Sequence, residues 1–127
     1  MKNQGDRALM TTRLAKEHYM SKYLFLGKIN QEYISGMLQN PDQDRTAVLK
    51  NLAAALGADL HSLEFTRGAY DVVCICDAPD FETALAMKTT VIRGGAVASI
   101  DILEVFDFNQ YAHKAASVTS GYKAPAA

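Results

Sequence analysis

Residues 66–80 read Thr-Arg-Gly-Ala-Tyr-Asp-Val-Val-Cys-Ile-Cys-Asp-Ala-Pro-Asp, TRGAYDVVCICDAPD. The stretch decides the fold because it holds a turn, a strand and a helix start in succession. Arg67-Gly68-Ala69 has hairpin length, and Gly68 supplies the positive φ that tight turns often require. Tyr70–Asp77 is a β-branched, aromatic and small-apolar run of strand character. Ala78-Pro79 interrupts it, and a second helix starts near Asp80. Working outward, Asp59–Thr66 is the strand on the other side of the turn. Before it, Asn40-Pro41-Asp42-Gln43 predicts a helix start, with Asn40 as N-cap, Pro41 at the first helical position and Gln43 three after the cap. Val48, Leu49, Leu52, Ala55 and Leu56 continue at helical spacing, and Gly57 supplies a left-handed stop. A shorter turn with Tyr33, Ile34, Met37 and Leu38 on one side precedes that helix. Lys22–Ile29 is the first strand. Downstream, Phe81, Ala84, Leu85, Val91 and Ile92 form the stripe of the second helix, Gly94-Gly95 ends it, and Val97–Phe106 is the fourth strand.

The order is βαββαβ, the split pattern of ferredoxin-like α+β domains. Right-handed crossovers predict a four-stranded antiparallel sheet ordered 4-1-3-2 with both helices on one face. The strands carry apolar residues on both faces. Val73 and Ile75 oppose Tyr70, Val72, Cys74 and Cys76; Leu24 and Leu26 oppose Tyr23 and Phe25. A half-solvated antiparallel sheet alternates apolar with polar, so the second face needs a cover, and a second copy of the chain is the simplest one. A homodimer formed through the sheet is therefore expected. Ser99, Asp101 and Glu64 are placed on that second face, as the lining of a small polar pocket between sheets.

Composition agrees with one domain. The chain has 127 residues, 49% hydrophobic and 9% aromatic, enough for a core. No apolar run approaches the ~18 residues of a membrane span, and the N-terminus resembles no signal peptide. A cytoplasmic protein with no membrane partner is expected. Residues 1–21 read as an N-terminal extension, 22–106 as the folded domain and 107–127 as a C-terminal tail. Met20, directly before the first strand, is a second candidate start. The net charge is −1. Its distribution is uneven, because residues 23–106 hold six basic and eleven acidic side chains, a balance of −5. That acidity counts against nucleic acid, whose binding depends on neutralised phosphates. Cys74 and Cys76 are two apart in one strand, poor geometry for a disulfide and short of a metal set even with His61. They read as buried free thiols. No metal and no cofactor is expected.

Two family resemblances follow from the central stretch. "LFLGKI" (Leu24–Ile29) and Arg67–Val72 resemble the paired RNA-contact motifs of RNA-recognition domains, which share the βαββαβ order. Phe25 sits at one stacking position, but Ala69 and Asp71 occupy the two aromatic positions of the other motif, so the stacking platform is missing. Binding to RNA is not expected. "GAYDVV" (Gly68–Val73) resembles instead the signature of the GYD domain family, with Gly68, Tyr70 and Asp71 matching and Ala69 in place of the usual acidic residue. "ALGADL" and "DAPD" fall where that family turns from helix to strand and from strand to helix. The resemblance spans about residues 22–106. It implies a small ferredoxin-like protein similar to dimeric α+β barrels, and it supplies no agreed catalytic residue.

The candidate site residues are Tyr70 and Asp71, as a substrate-orienting or acid–base pair at a cavity mouth, with Arg67, His61 and Asp101 beside them. A structural corner is the commoner role for such a Tyr-Asp pair after a turn. Lys88 falls inside the apolar stripe of its helix. A lysine there usually snorkels at the stripe's edge; the alternative is a cation facing a pocket beneath the helix. His18 and His113 lie outside the domain. No Ser-His-Asp spacing, phosphate-cradling loop or HExxH motif occurs. The leading expectation is a dimeric small-molecule-binding or accessory protein. The alternative is a cofactor-independent oxygenase or isomerase of a small organic substrate, by analogy with similar folds.

Overall fold

The computed structural model describes residues 20–126. The expected N-terminal extension thus lies outside the described residues up to Met20, and Ser21 already opens the first strand. Four strands form one antiparallel sheet: β1 (Ser21–Ile29), β2 (Asp59–Phe65), β3 (Val72–Ala78) and β4 (Val97–Glu104), in the order β2-β3-β1-β4. This is the predicted 4-1-3-2 order viewed from the opposite edge. Helices α1 (Gln31–Gln39) and α2 (Arg45–Ala55) connect β1 to β2, and α3 (Phe81–Arg93) connects β3 to β4. The result is the ferredoxin-like α+β arrangement.

The register divides the sheet into two faces. Phe25 stands opposite Cys74 and Ile102, and Gly27 opposite Val72 and Ile100. With Tyr23, Leu60, Leu63 and Cys76 these residues form the face under the helices, where Ala53, Ala84 and Met87 meet them. Tyr23 and Cys76 are the largest side chains fully buried there. One step along each strand, Leu24 stands opposite Ile75 and Leu103, and Leu26 opposite Val73 and Asp101. These form the face away from the helices, where Leu103 remains 49% exposed. Lys28 pairs with Ser99 and Glu64 with Val73, which puts Ser99, Asp101 and Glu64 on that face as expected.

Local chemistry explains the element ends, and several of them differ from the sequence reading. Asp80 caps α3, accepting from the Thr83 N–H at 2.8 Å and the Thr83 hydroxyl at 2.6 Å. Gly57, at φ 75°, follows α2 as expected. The start of α2 is different. Asn40 closes α1 by donating its N–H to the Gly36 carbonyl at 3.1 Å. Gln43 serves the same end, its side-chain amide donating to Gly36 and Asn40 carbonyls. The N-cap of α2 is Asp44, which accepts from the Ala47 N–H at 3.0 Å. Asn40, expected to cap this helix, instead ends the one before it. Secondly, β3 starts at Val72 rather than Tyr70, because Tyr70 and Asp71 bond to the turn and to β1. Thirdly, the segment read as tail carries a helix, α4 (Phe108–Thr119), capped by Asp107 through the Gln110 N–H at 3.1 Å. Phe106, Phe108 and Tyr111 cluster at its start with ring centroids 5.3 to 6.2 Å apart. No residue of α4 is buried, but Phe108, Tyr111, Ala112 and Ala115 fall at helical spacing, a local signal that the reading of this segment as tail passed over.

Candidate functional site

The helices sit over different parts of the sheet: α2 packs on β2, and α3 packs on β4 and β3. Between them a cleft of about 280 Å3 opens above the sheet. Its floor is Phe25, Gly27, Val72 and Cys74 of the two central strands, and its walls are Val48, Leu49 and Leu52 of α2 and Met87 and Val91 of α3. Close-packed interiors leave few voids larger than a water molecule, so a cleft of this size over the sheet centre is a structural feature in its own right.

A few polar groups interrupt the apolar lining: Tyr33 of α1, Arg45 at the start of α2, and Lys88 and Thr90 of α3. The Arg45 guanidinium lies 5.7 Å from the centroid of the Tyr33 ring and donates weakly to Gln43 Oε1 at 3.4 Å. Lys88 is half-buried. The Thr90 hydroxyl is spent within α3, donating to the Ala86 carbonyl at 2.8 Å. Burial pushes the Cys74 thiol up to about 11, so it stays protonated and unreactive near neutrality. Lys88 is among the residues that line the cleft beneath its helix, where a lysine can lay its stem along the apolar wall or turn its ammonium toward the opening. Tyr33 and Arg45 were not singled out from the sequence. A tyrosine in a short helical stripe and an arginine at a helix start are too common to signal a site.

The residues nominated from the sequence gather elsewhere, at the end of the hairpin and on the face away from the helices. The Tyr70 hydroxyl donates to Asp101 Oδ2 at 2.7 Å. That hydrogen bond and the carboxylate's charge hold the phenol above its ordinary pKa. The Lys28 ammonium lies 6.0 Å from the centroid of the same ring. His61 sits where the register shifts between Leu60 and Ser62, and its Nε2 meets Asp77 Oδ2 at 2.7 Å. Asp71 works on the backbone. Its carboxylate accepts from the Ile29 N–H at 3.0 Å, its own N–H donates to the Gly27 carbonyl at 2.9 Å, and its carbonyl accepts from the Thr66 N–H at 2.8 Å. Arg67 is exposed in the turn beside Gly68, whose φ is 140°. The structure therefore brings Tyr70 to Asp101, joins His61 to Asp77, and uses Asp71 to tie the turn to β1. The lining of the cleft contains none of Arg67, Tyr70, Asp71, His61 and Asp101.

The RNA comparison also resolves in geometric terms. Phe25 does not stand on an open stacking face. It is 7% exposed, on the helix side of β1, because its register partners Cys74 and Ile102 share that side. The open-face positions of the two central strands carry Leu24, Leu26, Val73 and Ile75, none of which offers an aromatic surface.

Among the described residues, no cluster of three or more His, Cys, Asp or Glu side chains could hold a metal ion. No helix among them is long and apolar enough to cross a membrane. No curated protein and no solved structure matches the chain. The family model of the GYD domain matches residues 23–115, a span that takes in all four strands but for the first two residues of β1, helices α1 to α3 and two-thirds of α4. With the turn, the Tyr70–Asp71 corner and the βαββαβ order in place, the chain belongs to the GYD domain family.

Proposed function

We propose that this protein binds a small, largely apolar molecule in the cleft between its helices and its sheet. The observation that carries the reading is the cleft itself: about 280 Å3, just below the ~300–1,000 Å3 typical of small-molecule sites, with an apolar lining and a few polar groups. Binding is favoured over the alternative of cofactor-independent oxygenase or isomerase chemistry. The titratable groups in the lining are Tyr33, Arg45, Cys74 and Lys88, and the carboxylate-based pairs, Tyr70–Asp101 and His61–Asp77, lie outside it. A site for acid–base catalysis places its proton carriers within reach of the substrate.

The working unit in this reading is a homodimer joined through the face away from the helices. Leu24, Leu26, Val73, Ile75 and Leu103 form its apolar centre, and the His61–Asp77 and Tyr70–Asp101 pairs its polar rim. An apolar centre with a polar rim is the usual anatomy of a protein interface. Nucleic acid has no place in this reading.

The test uses an aromatic dye that fluoresces in apolar surroundings. Saturable binding is expected to the wild type and to Leu26→Glu, and its loss is expected in Val91→Trp and Leu49→Phe, which fill the cleft; circular dichroism checks that each variant folds. Dye binding that survives both cleft-filling variants refutes the site. Sedimentation should show a dimer for the wild type and a monomer for Leu26→Glu. A monomeric wild type at low micromolar concentration refutes the assembly.

A further inference from the structure

We infer that the cleft selects a compact apolar anion, most simply a monocarboxylate, with its body over the sheet centre and its charged group held by Lys88 and Arg45. The inference rests on the proposed binding function and specifies its ligand. It comes from the sign of the lining. The domain between residues 23 and 106 is acidic, with eleven carboxylates against six cations. Yet the cleft in that domain is lined by two cations, Arg45 and Lys88, and by no aspartate or glutamate among the described residues. The local charge is thus opposite to that of the surrounding domain.

Both residues are half-buried, and among the described residues neither has a carboxylate within salt-bridge distance. Arg45 instead faces the Tyr33 ring and the neutral side chain of Gln43. A cation drawn partly out of water is destabilised unless an opposite charge or hydrogen-bond acceptor restores what hydration gave it. A carboxylate does this, and the low-dielectric walls strengthen the attraction over that of an exposed pair. Helices α2 and α3 contribute one cation each, so an anion between them joins the two walls. The size of the cleft fixes the body of the ligand: a short alkyl chain or a single ring fits it, and a two-chain lipid does not.

The probes are octanoate, octanamide and octylammonium, titrated calorimetrically into the full chain at low salt. They share one apolar body and differ in the charge of the head. Octanoate should bind at least about tenfold more tightly than octanamide, consistent with a charge-assisted hydrogen bond replacing a neutral one, and octylammonium should bind more weakly than either. Lys88→Met keeps an apolar stem of similar length and should remove a large part of the octanoate preference while leaving octanamide affinity within about twofold, because Arg45 remains. Lys88→Gln and Arg45→Gln serve as second variants, each expected to remove a large part of the carboxylate preference. Equal binding of octanoate and octanamide to the wild type overturns the inference and leaves the binding function standing. So does a carboxylate preference that survives all three substitutions. Failure of octanoate and octanamide to bind, with no dye bound either, overturns the binding function itself.

Discussion

Asp71 gives the sharpest test of how the signature corner works. Its carboxylate accepts the Ile29 N–H at 3.0 Å in a partly buried setting, while its backbone N–H and carbonyl bond to Gly27 and Thr66. A side-chain substitution removes only the first of these. A hydrogen bond to a charged group contributes about 1.5–3 kcal/mol, against about 0.5–1.5 kcal/mol for a neutral one. Asp71→Ala leaves the Ile29 N–H without its acceptor, and water reaches it incompletely, so a loss of about 2 kcal/mol is expected. Asp71→Asn keeps an acceptor oxygen and should lose about 1 kcal/mol. Urea denaturation measures both, with the m-value unchanged if only stability moves. In a domain of this size Asp71→Ala should lower the melting temperature by roughly 8–16 °C, at about 4–8 °C per kcal/mol. Dye and octanoate binding at 20 °C should be unchanged in both variants, because Asp71 does not line the cleft. The reasoning is refuted if Asp71→Ala stays within about 0.5 kcal/mol of the wild type, near the limit expected for a neutral surface site. It is equally refuted if Asn is as damaging as Ala, or if ligand binding disappears in a variant that remains folded.

Further consequences are directly measurable. Gly68→Val should destabilise by about 1–3 kcal/mol because a β-branched residue is strained at a φ of 140° even though the space around it is open; an unchanged urea midpoint would count against this. Phe25→Ala removes a ring from the core and should cost about 3–5 kcal/mol, while the wild type should show no binding to single-stranded RNA in a fluorescence polarisation titration at physiological salt. Burial pushes the Cys74 and Cys76 thiols up to about 11, above the ~8.5 of an unfolded thiol. Their protonated forms therefore stabilise the fold fully below about pH 8.5, and this contribution is lost as pH rises through about 11. The urea midpoint of the wild type should fall across that window more steeply than that of the Cys74→Ala, Cys76→Ala double variant. Asp101→Asn should bring the Tyr70 phenol down toward its ordinary pKa, read from the pH titration of ring-labelled tyrosine by NMR; a Tyr70 titration unmoved by this change would argue against the 2.7 Å pair.

The features that short-range physics controls were legible in the order of residues. Alternation along Tyr23–Leu26 and Val72–Cys76 assigned each residue to its face of the sheet, because the side-chain period of a strand is two whatever covers it. Gly57 after α2 and the helix start at Asp80 were legible because stops and caps act within a turn of the helix end they serve. The Gly68 turn between two apolar runs set the hairpin, and the handedness of crossovers then left one strand order. Where local signals competed, the sequence reading took the wrong one, Asn40 as the cap of α2. Asn40 and Asp44 are both good caps, and the preference for Asp44 arises because the end of α1 takes Asn40 and Gln43 for itself. The helix α4 has a cap and apolar residues at helical spacing but buries no side chain, so a reading that asked only what the segment could bury took it for a tail.

The candidate site depended on tertiary structure almost entirely. Periodicity states which side of a helix faces the sheet, not how far apart two helices stand. The cleft exists because α2 is seated on β2 while α3 is seated on β4 and β3, a spacing set by contacts between residues distant in the chain. Only that placement puts Lys88, Arg45 and Tyr33 in one lining. The Tyr70–Asp101 pair is of the same kind. Both residues were nominated from the sequence, but their contact spans 31 positions and is made only when β4 lies beside β1 and the turn before β3 folds back over Lys28. Local sequence fixes the conformation of each element, whereas charge, cavity and pairing belong to the gaps between elements, which packing alone decides.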